Sequence, residues 1–149
     1  MQTFVPYPDA RLTAQCLDRQ RLGKQRVEAV QILRTLLGLS TGWSHHPAVV
    51  MWKGHEHFLL AYTIAIVAEW ERRGYKNTKI AQHINELTDC LSRKDYDKSP
   101  PSWWTDDRVH SSHRSALLRK DNKHYSQFEW QDSPEAPYYW PDGKKEQNG

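Results

Sequence analysis

The stretch DRQRLGKQRVEAVQILRTLLG, residues 18–38, reads as a helix with two unlike faces. Leu22, Ala29, Ile32, Leu33 and Leu36 recur at helical spacing and form an apolar stripe. Arg21, Lys24, Glu28 and Gln31 follow i, i+3, i+7, i+10 and share a different, polar face. Asp18 stands where an N-cap is needed and Gly38 where a helix ends, so the spacing predicts a helix over about 18–37.

The segments around it extend the same reading. Residues 1–9 hold Pro6 and Pro8, which lack amide donors and push their neighbours away from helix, so they predict an extended arm. Asp9 can cap a short turn through Cys16. Beyond a loop at Ser40–His46, Pro47 is placed to begin a short helix ending near Lys53. An apolar helix over His55–Arg73 stops at Gly74. Asn77 or Thr78 caps a further helix, Lys79 to about Arg93, with Ile80, Ile84, Leu87 and Leu91 on one side. A polar, proline-bearing loop (Lys94–Ser102) leads to a last helix over about Asp107–Arg119, and Asp121–Tyr125 adds a turn. From Ser133 the chain looks irregular. No strand pattern is long enough for a sheet, and no repeat or linker divides the chain. The expectation is an all-α fold: one domain over residues 1–142, with four to five helices and an extended N-terminal arm. An irregular C-terminal tail ends in a frayed polar segment, 143–149.

The totals bound the function. At 149 residues the chain can bury a real core, and 38% hydrophobic with 26% charged residues is polar without being disordered. The net charge of +3 is mild, but between Arg11 and Arg26 five basic residues (Arg11, Arg19, Arg21, Lys24, Arg26) meet one acid, Asp18. Such a field attracts polyanions. Seven Trp and seven Tyr supply core, and beside abundant Arg they also suit a surface that stacks on flat ligands. Cys16 and Cys90 stand in no metal or redox spacing and read as buried thiols in a reducing compartment. The longest apolar run, Phe58 to Ala68, is about half a membrane span, and Met1–Thr13 lacks a signal pattern. A cytoplasmic protein without a membrane role is expected.

Three side-chain groups can carry chemistry. On spacing alone, Arg21–Lys24–Glu28 is either an ordinary surface ion pair or a carboxylate among phosphate-holding cations. His45, His46, His55 and His57 follow no zinc-binding framework, so no metal and no cofactor are expected. His110, His113 and Arg114, continued by Arg119, Lys120 and Lys123, form either a solvated helix end or a phosphate-gripping element. Walker, dinucleotide and nucleophile-elbow motifs are missing from the sequence.

The ordered set Leu17-Asp-Arg-Gln20-Arg-Leu22 with Glu28, then Gly54-His55, an apolar helix and Glu69-Trp-Glu-Arg-Arg-Gly74-Tyr75, resembles the bacteriophage pyrimidine-dimer DNA glycosylase family. Arg119 to Lys123 is similar to that family's C-terminal basic segment. Trp43-Ser-His-His-Pro47 and Met51-Trp52 look more like its uncharacterised bacterial and phage branch, and the likeness spans roughly residues 1–125.

The resemblance implies an all-α DNA-repair enzyme that binds duplex DNA with a damaged or modified base, bends it and flips out a base. It also implies a base-excision hydrolase with an AP-lyase step, in which an N-terminal α-amine attacks the sugar C1′ and an imine forms. An α-amine ordinarily titrates near ~8, so a useful fraction is neutral and nucleophilic. Glu28 falls on the family's catalytic glutamate. Gln20 and Arg21 fall on polar positions near the active site, and Lys24, Arg26, Arg119 and Lys123 on or near DNA-contacting ones. Three residues depart from the pattern, and the N-terminal arm is some five residues longer than in the best-known enzyme. Gln2 is bulky and favours retention of Met1, so the amine is that of Met1 or Gln2. Arg21 stands where the best-known enzyme has His, and Val27 where it has Arg. The target base is therefore left open. The alternative is a non-catalytic DNA-binding or lesion-sensing module of the same fold. A monomer in the cytoplasm, associated with the nucleoid of a bacterium or phage-infected cell, is expected.

Overall fold

The computed structural model describes residues 1–93 and 97–141. Part of the loop expected at Lys94–Ser102, and all of the tail expected at 143–149, lie outside them. The described residues form seven α-helices: α1 Ala10–Cys16, α2 Arg19–Leu36, α3 Pro47–Val50, α4 Glu56–Arg72, α5 Thr78–Ser92, α6 Asp107–Lys120 and α7 Asn122–Tyr125. Short 3-10 turns at Ser102–Thr105 and Ser126–Phe128 complete the set. The fold is all-α, as the periodicity indicates. Four of the helices are long, and α3 and α7 are single turns.

The stripe of α2 buries Leu22, Ala29, Ile32 and Leu33, which meet Leu59, Tyr62 and Ile66 of α4. α5 adds Leu87 and Leu91, and α6 adds Val109 and Leu117. Trp52, Phe58, Trp103 and Trp104 fill one end with edge-on and tilted ring contacts, such as the edge-on Trp52–Trp103 pair at 4.9 Å between centroids. Gly38 and Gly74 end α2 and α4 at φ +77° and +95°, values at which a Cβ is strained. The carbonyls left over at the end of α1 are gathered by Arg73, whose guanidinium donates to Ala14, Gln15 and Leu17.

The extended arm runs through the core instead of over it. Exposure is 4% at Gln2, 0% at Thr3, 7% at Phe4 and 0% at Val5. With no neighbouring strand among the described residues, its main chain is satisfied by side chains. The Phe4 N–H donates to Gln25 Oε1 (2.8 Å), and Gln25 Nε2 donates to the Gln2 carbonyl (2.8 Å). Tyr62 donates to the Phe4 carbonyl and Arg114 to the Pro6 carbonyl. The Val5 N–H donates to His113 Nδ1 (2.9 Å), and its carbonyl lies 2.6 Å from His110 Nδ1. Thr13 of α1 donates to the Tyr7 carbonyl.

Three expectations change here. His110 and His113 are buried anchors of the arm, so neither a solvated helix end nor a phosphate grip describes them. Asp18 occupies the N-cap position of α2 but makes no side-chain cap bond, because Tyr125 and Arg21 take its carboxylate. Cys16 is buried, and burial pushes its thiol up to about 12, whereas Cys90 is only half-buried because its side of α5 faces out.

His113 makes the arm acid-labile. Burial, with the neighbouring His110 and Arg114 charges, lowers its ring from 6.5 to about 3. The unfolded chain takes up this proton near 6.5 and the folded chain not until about 3, so stability is complete above that window and is lost as pH falls through it. The melting temperature should drop between about pH 7 and pH 4. His113→Gln keeps an acceptor for the Val5 N–H and should flatten that drop. Equal slopes in the two proteins would assign the lability to other groups.

Candidate active site

A pocket of about 370 Å³ opens where the start of the arm meets the polar face of α2 and the end of α6. Gln20, Arg21, Lys24, Gln25 and Glu28 line it from α2, Met1, Gln2 and Phe4 from the arm, and Arg119 and Lys120 from α6. Tyr138, returning from the C-terminal segment, closes the wall. Gln25 is why the arm stops here, since its amide holds the main chain on both sides of Thr3. Trp52 adds a third hold by donating from its indole to the Thr3 hydroxyl (2.8 Å).

Glu28 is fixed through both oxygens. Oε2 accepts from the Gln2 N–H at 3.2 Å, and Oε1 lies 3.6 Å from Lys24 Nζ. The Lys24 side chain is 74% exposed, so that ion pair is a weak restraint and its ammonium can turn to another anion. Arg21 is oriented by Asp18 at 3.2 Å. Burial alone would raise the Asp18 carboxyl, but the Tyr125 hydroxyl and Arg21 outweigh it and hold the group below its ordinary value. Arg119 donates to the carbonyls of Pro134 and Ala136 (2.8 and 3.0 Å), which carries the chain round to Tyr138. Gln2 Oε1 accepts from the Thr3 N–H, while Gln2 Nε2 is buried without a hydrogen-bond partner among the described residues.

The residues singled out from sequence fall into two groups. Met1, Gln2, Gln20, Arg21, Lys24, Glu28 and Arg119 come together at this pocket. Arg26 and Lys123 do not line it. Arg26 stacks over Trp70 (4.2 Å to the ring centroid) and donates to Asn77. Gly23 makes that stack possible, because a Cβ there would lie 2.9 Å from the Trp70 ring. Lys123 stands exposed on α7. Sequence reasoning passed over Gln25, and its signal was a polar residue inside the apolar stripe, three after Leu22 and four before Ala29. Tyr138 gave no such signal, since nothing local ties the C-terminal segment to α2.

Four cations, Arg21, Lys24, Arg119 and Lys120, surround one carboxylate, Glu28, in this pocket. That arrangement suits a polyanion whose reacting centre develops positive charge beside the carboxylate. Among the described residues no three His, Cys, Asp or Glu side chains gather where a metal ion could sit. No helix among them is long and apolar enough to cross a membrane.

A sequence model described as "Pyrimidine dimer DNA glycosylase" matches residues 1–83, which takes in the arm, α2 and α4. No curated protein and no solved structure matches the chain.

The clamp gives a direct test of how the site is held. Gln25→Met keeps volume but leaves the Phe4 N–H and the Gln2 carbonyl unpaired, at about 1–3 kcal/mol each. The melting temperature should fall by about 5–15 °C. Protease should then release the N-terminal peptide before the rest of the chain is cut. Unchanged melting and unchanged digestion would mean that the other arm bonds suffice.

Proposed function

We propose, because the chain belongs to the pyrimidine dimer DNA glycosylase family, that it excises a damaged or modified pyrimidine from duplex DNA by imine chemistry at its N-terminal amine. One observation supports this above the rest: Met1 lines the cationic pocket, and the main-chain nitrogen of the next residue rests on Glu28.

The steps follow from that placement. The duplex docks through Arg21, Lys24, Arg119 and Lys120 on its phosphates, with Gln20 beside them. The target nucleotide leaves the stack at a cost of a few kcal/mol, least where the duplex is already distorted. The neutral amine attacks C1′, the bond from C1′ to the base breaks, and the base departs with a proton. A proton delivered to O4′ breaks the C1′–O4′ bond, and the opened sugar is held as an iminium whose positive charge Glu28 stabilises at close range. Glu28 also moves the proton that opens the ring. Loss of a C2′ proton next expels the 3′ phosphate by β-elimination, which nicks the strand. Lys123, exposed outside the pocket, meets the duplex backbone further along, whereas Arg26 is held on the opposite flank of α2 by Trp70 and Asn77.

The amine is that of Met1. Gln2 is bulky enough to favour retention of the initiator. A free Gln2 amine would also close on its own side-chain amide, lose ammonia and become an unreactive lactam. With Met1 in place, Gln2 is a positioning residue whose N–H on Glu28 holds the amine one residue beyond it.

Incubation with duplex containing an abasic site, followed by borohydride, should trap a covalent adduct whose mass maps to Met1. A residue added ahead of Met1 should abolish it. Salt-sensitive DNA binding without trapping would sink the imine step and leave a lesion-sensing module, the reading in which Gln2 marks a lost nucleophile. Glu28→Gln retains an acceptor for the Gln2 N–H, so melting and duplex binding should hold while turnover falls by about 10²–10⁴-fold. A large drop in melting temperature would instead make Glu28 structural.

A further inference from the structure

Trp43 is the most exposed of the described large hydrophobic residues, at 62%, and it sits at φ +66°. A bulky side chain in the left-handed region is strained, and exposure of an indole gives nothing back to the fold. The loop that carries it is nonetheless fixed. The Thr35 hydroxyl donates to the Gly42 carbonyl (3.0 Å), and the His46 N–H donates to the Trp43 carbonyl (2.9 Å). His46 in turn caps α3 by accepting from the Ala48 N–H.

Two observations put this residue beside the candidate site. Thr35 follows Glu28 by seven residues on α2, so it lies on the same side of the helix, ~10 Å further along the axis. A line of ring contacts also runs from the pocket wall to the loop: Tyr138 to Trp140 (5.6 Å), Trp140 to His46 (6.1 Å) and His46 to Trp43 (5.9 Å). The contacts pass through the buried Trp140, and Trp43 is their exposed end.

We infer that Trp43 is a wedge that enters the duplex beside the target nucleotide and stacks on the base the distortion uncovers. This rests on the glycosylase reading, because it takes duplex DNA as the occupant. A flat side chain held rigid on a strained turn loses little freedom on stacking and can replace a base neighbour lost on extrusion. Trp43 is a positioning residue: it keeps the opened duplex open while chemistry occurs at Glu28.

The test compares Trp43→Ala and Trp43→Phe with the unmodified protein on two duplexes, one undamaged and one carrying a tetrahydrofuran abasic-site analogue. Melting should be the same in all three proteins, since the indole is outside the core. Trp43→Ala should lose about tenfold or more in affinity for the abasic-analogue duplex, with undamaged-duplex affinity and its salt dependence unchanged. Trp43→Phe should restore most of that preference. If the unmodified protein prefers the abasic-analogue duplex and Trp43→Ala keeps the full preference, the wedge is overturned and the glycosylase reading stands. If the unmodified protein binds neither duplex, the glycosylase reading fails and the wedge fails with it.

Discussion

Main-chain amides and carbonyls taken out of water need partners, and an orphan costs about 1–3 kcal/mol. Residues 2–7 are extended around Pro6 and are mostly buried, yet no strand among the described residues lies beside them. Their partners come from side chains on four helices: Thr13 of α1, Gln25 and Glu28 of α2, Tyr62 of α4, and His110, His113 and Arg114 of α6. The arm therefore acts as a template that fixes those helices relative to one another. Loss of one bond is tolerable against a stability of about 5–15 kcal/mol, but loss of several is not.

α2 divides its work because of that template. Gln25 points into the core to hold the arm, while Arg21, Lys24 and Glu28 face the pocket that the arm's start completes. A second division follows at Gly23, where the absence of a Cβ lets Trp70 lie against the helix and take Arg26 to the opposite flank. There Arg19 approaches Tyr75 and Tyr75 packs on Trp70, so this flank presents cations layered on rings. The charge cluster that looks continuous along the sequence is thus two surfaces.

Much of this was legible from local rules. The faces of α2, the stops at Gly38 and Gly74 and the extended arm all follow from spacing and backbone restriction, which act within a few residues. The path of the arm through the core was not, because the partners of residues 2–5 lie from 21 positions away, at Gln25, to 108 away, at His113. His110 and His113 look like surface cations when read beside Arg114 and Lys120. They become intelligible only once Val5 is seen between them. Gln25 was the one local hint, a polar side chain within an apolar stripe. Such a residue marks a buried polar partner that the sequence does not name. Tyr138 reaches the pocket because Arg119 binds the carbonyls of Pro134 and Ala136, a contact with no periodic signature.

The clamp also bears on the chemistry proposed above, in which a terminal amine would be the nucleophile. A lysine nucleophile swings on a four-carbon stem, and fixing it costs up to about 2 kcal/mol of rotamer freedom. An amine at the end of a clamped main chain has no side-chain torsions of its own to lose. Here Gln25 and Trp52 immobilise the residues just beyond it, and Glu28 holds the final amide. Folding itself then fixes the geometry, and the freedom left at Met1 is confined to one residue. The same arrangement explains why the carboxylate and the arm belong to one cooperative unit. Glu28 binds the amide that places the amine, so a sugar cation formed there would arise within reach of its stabilising charge.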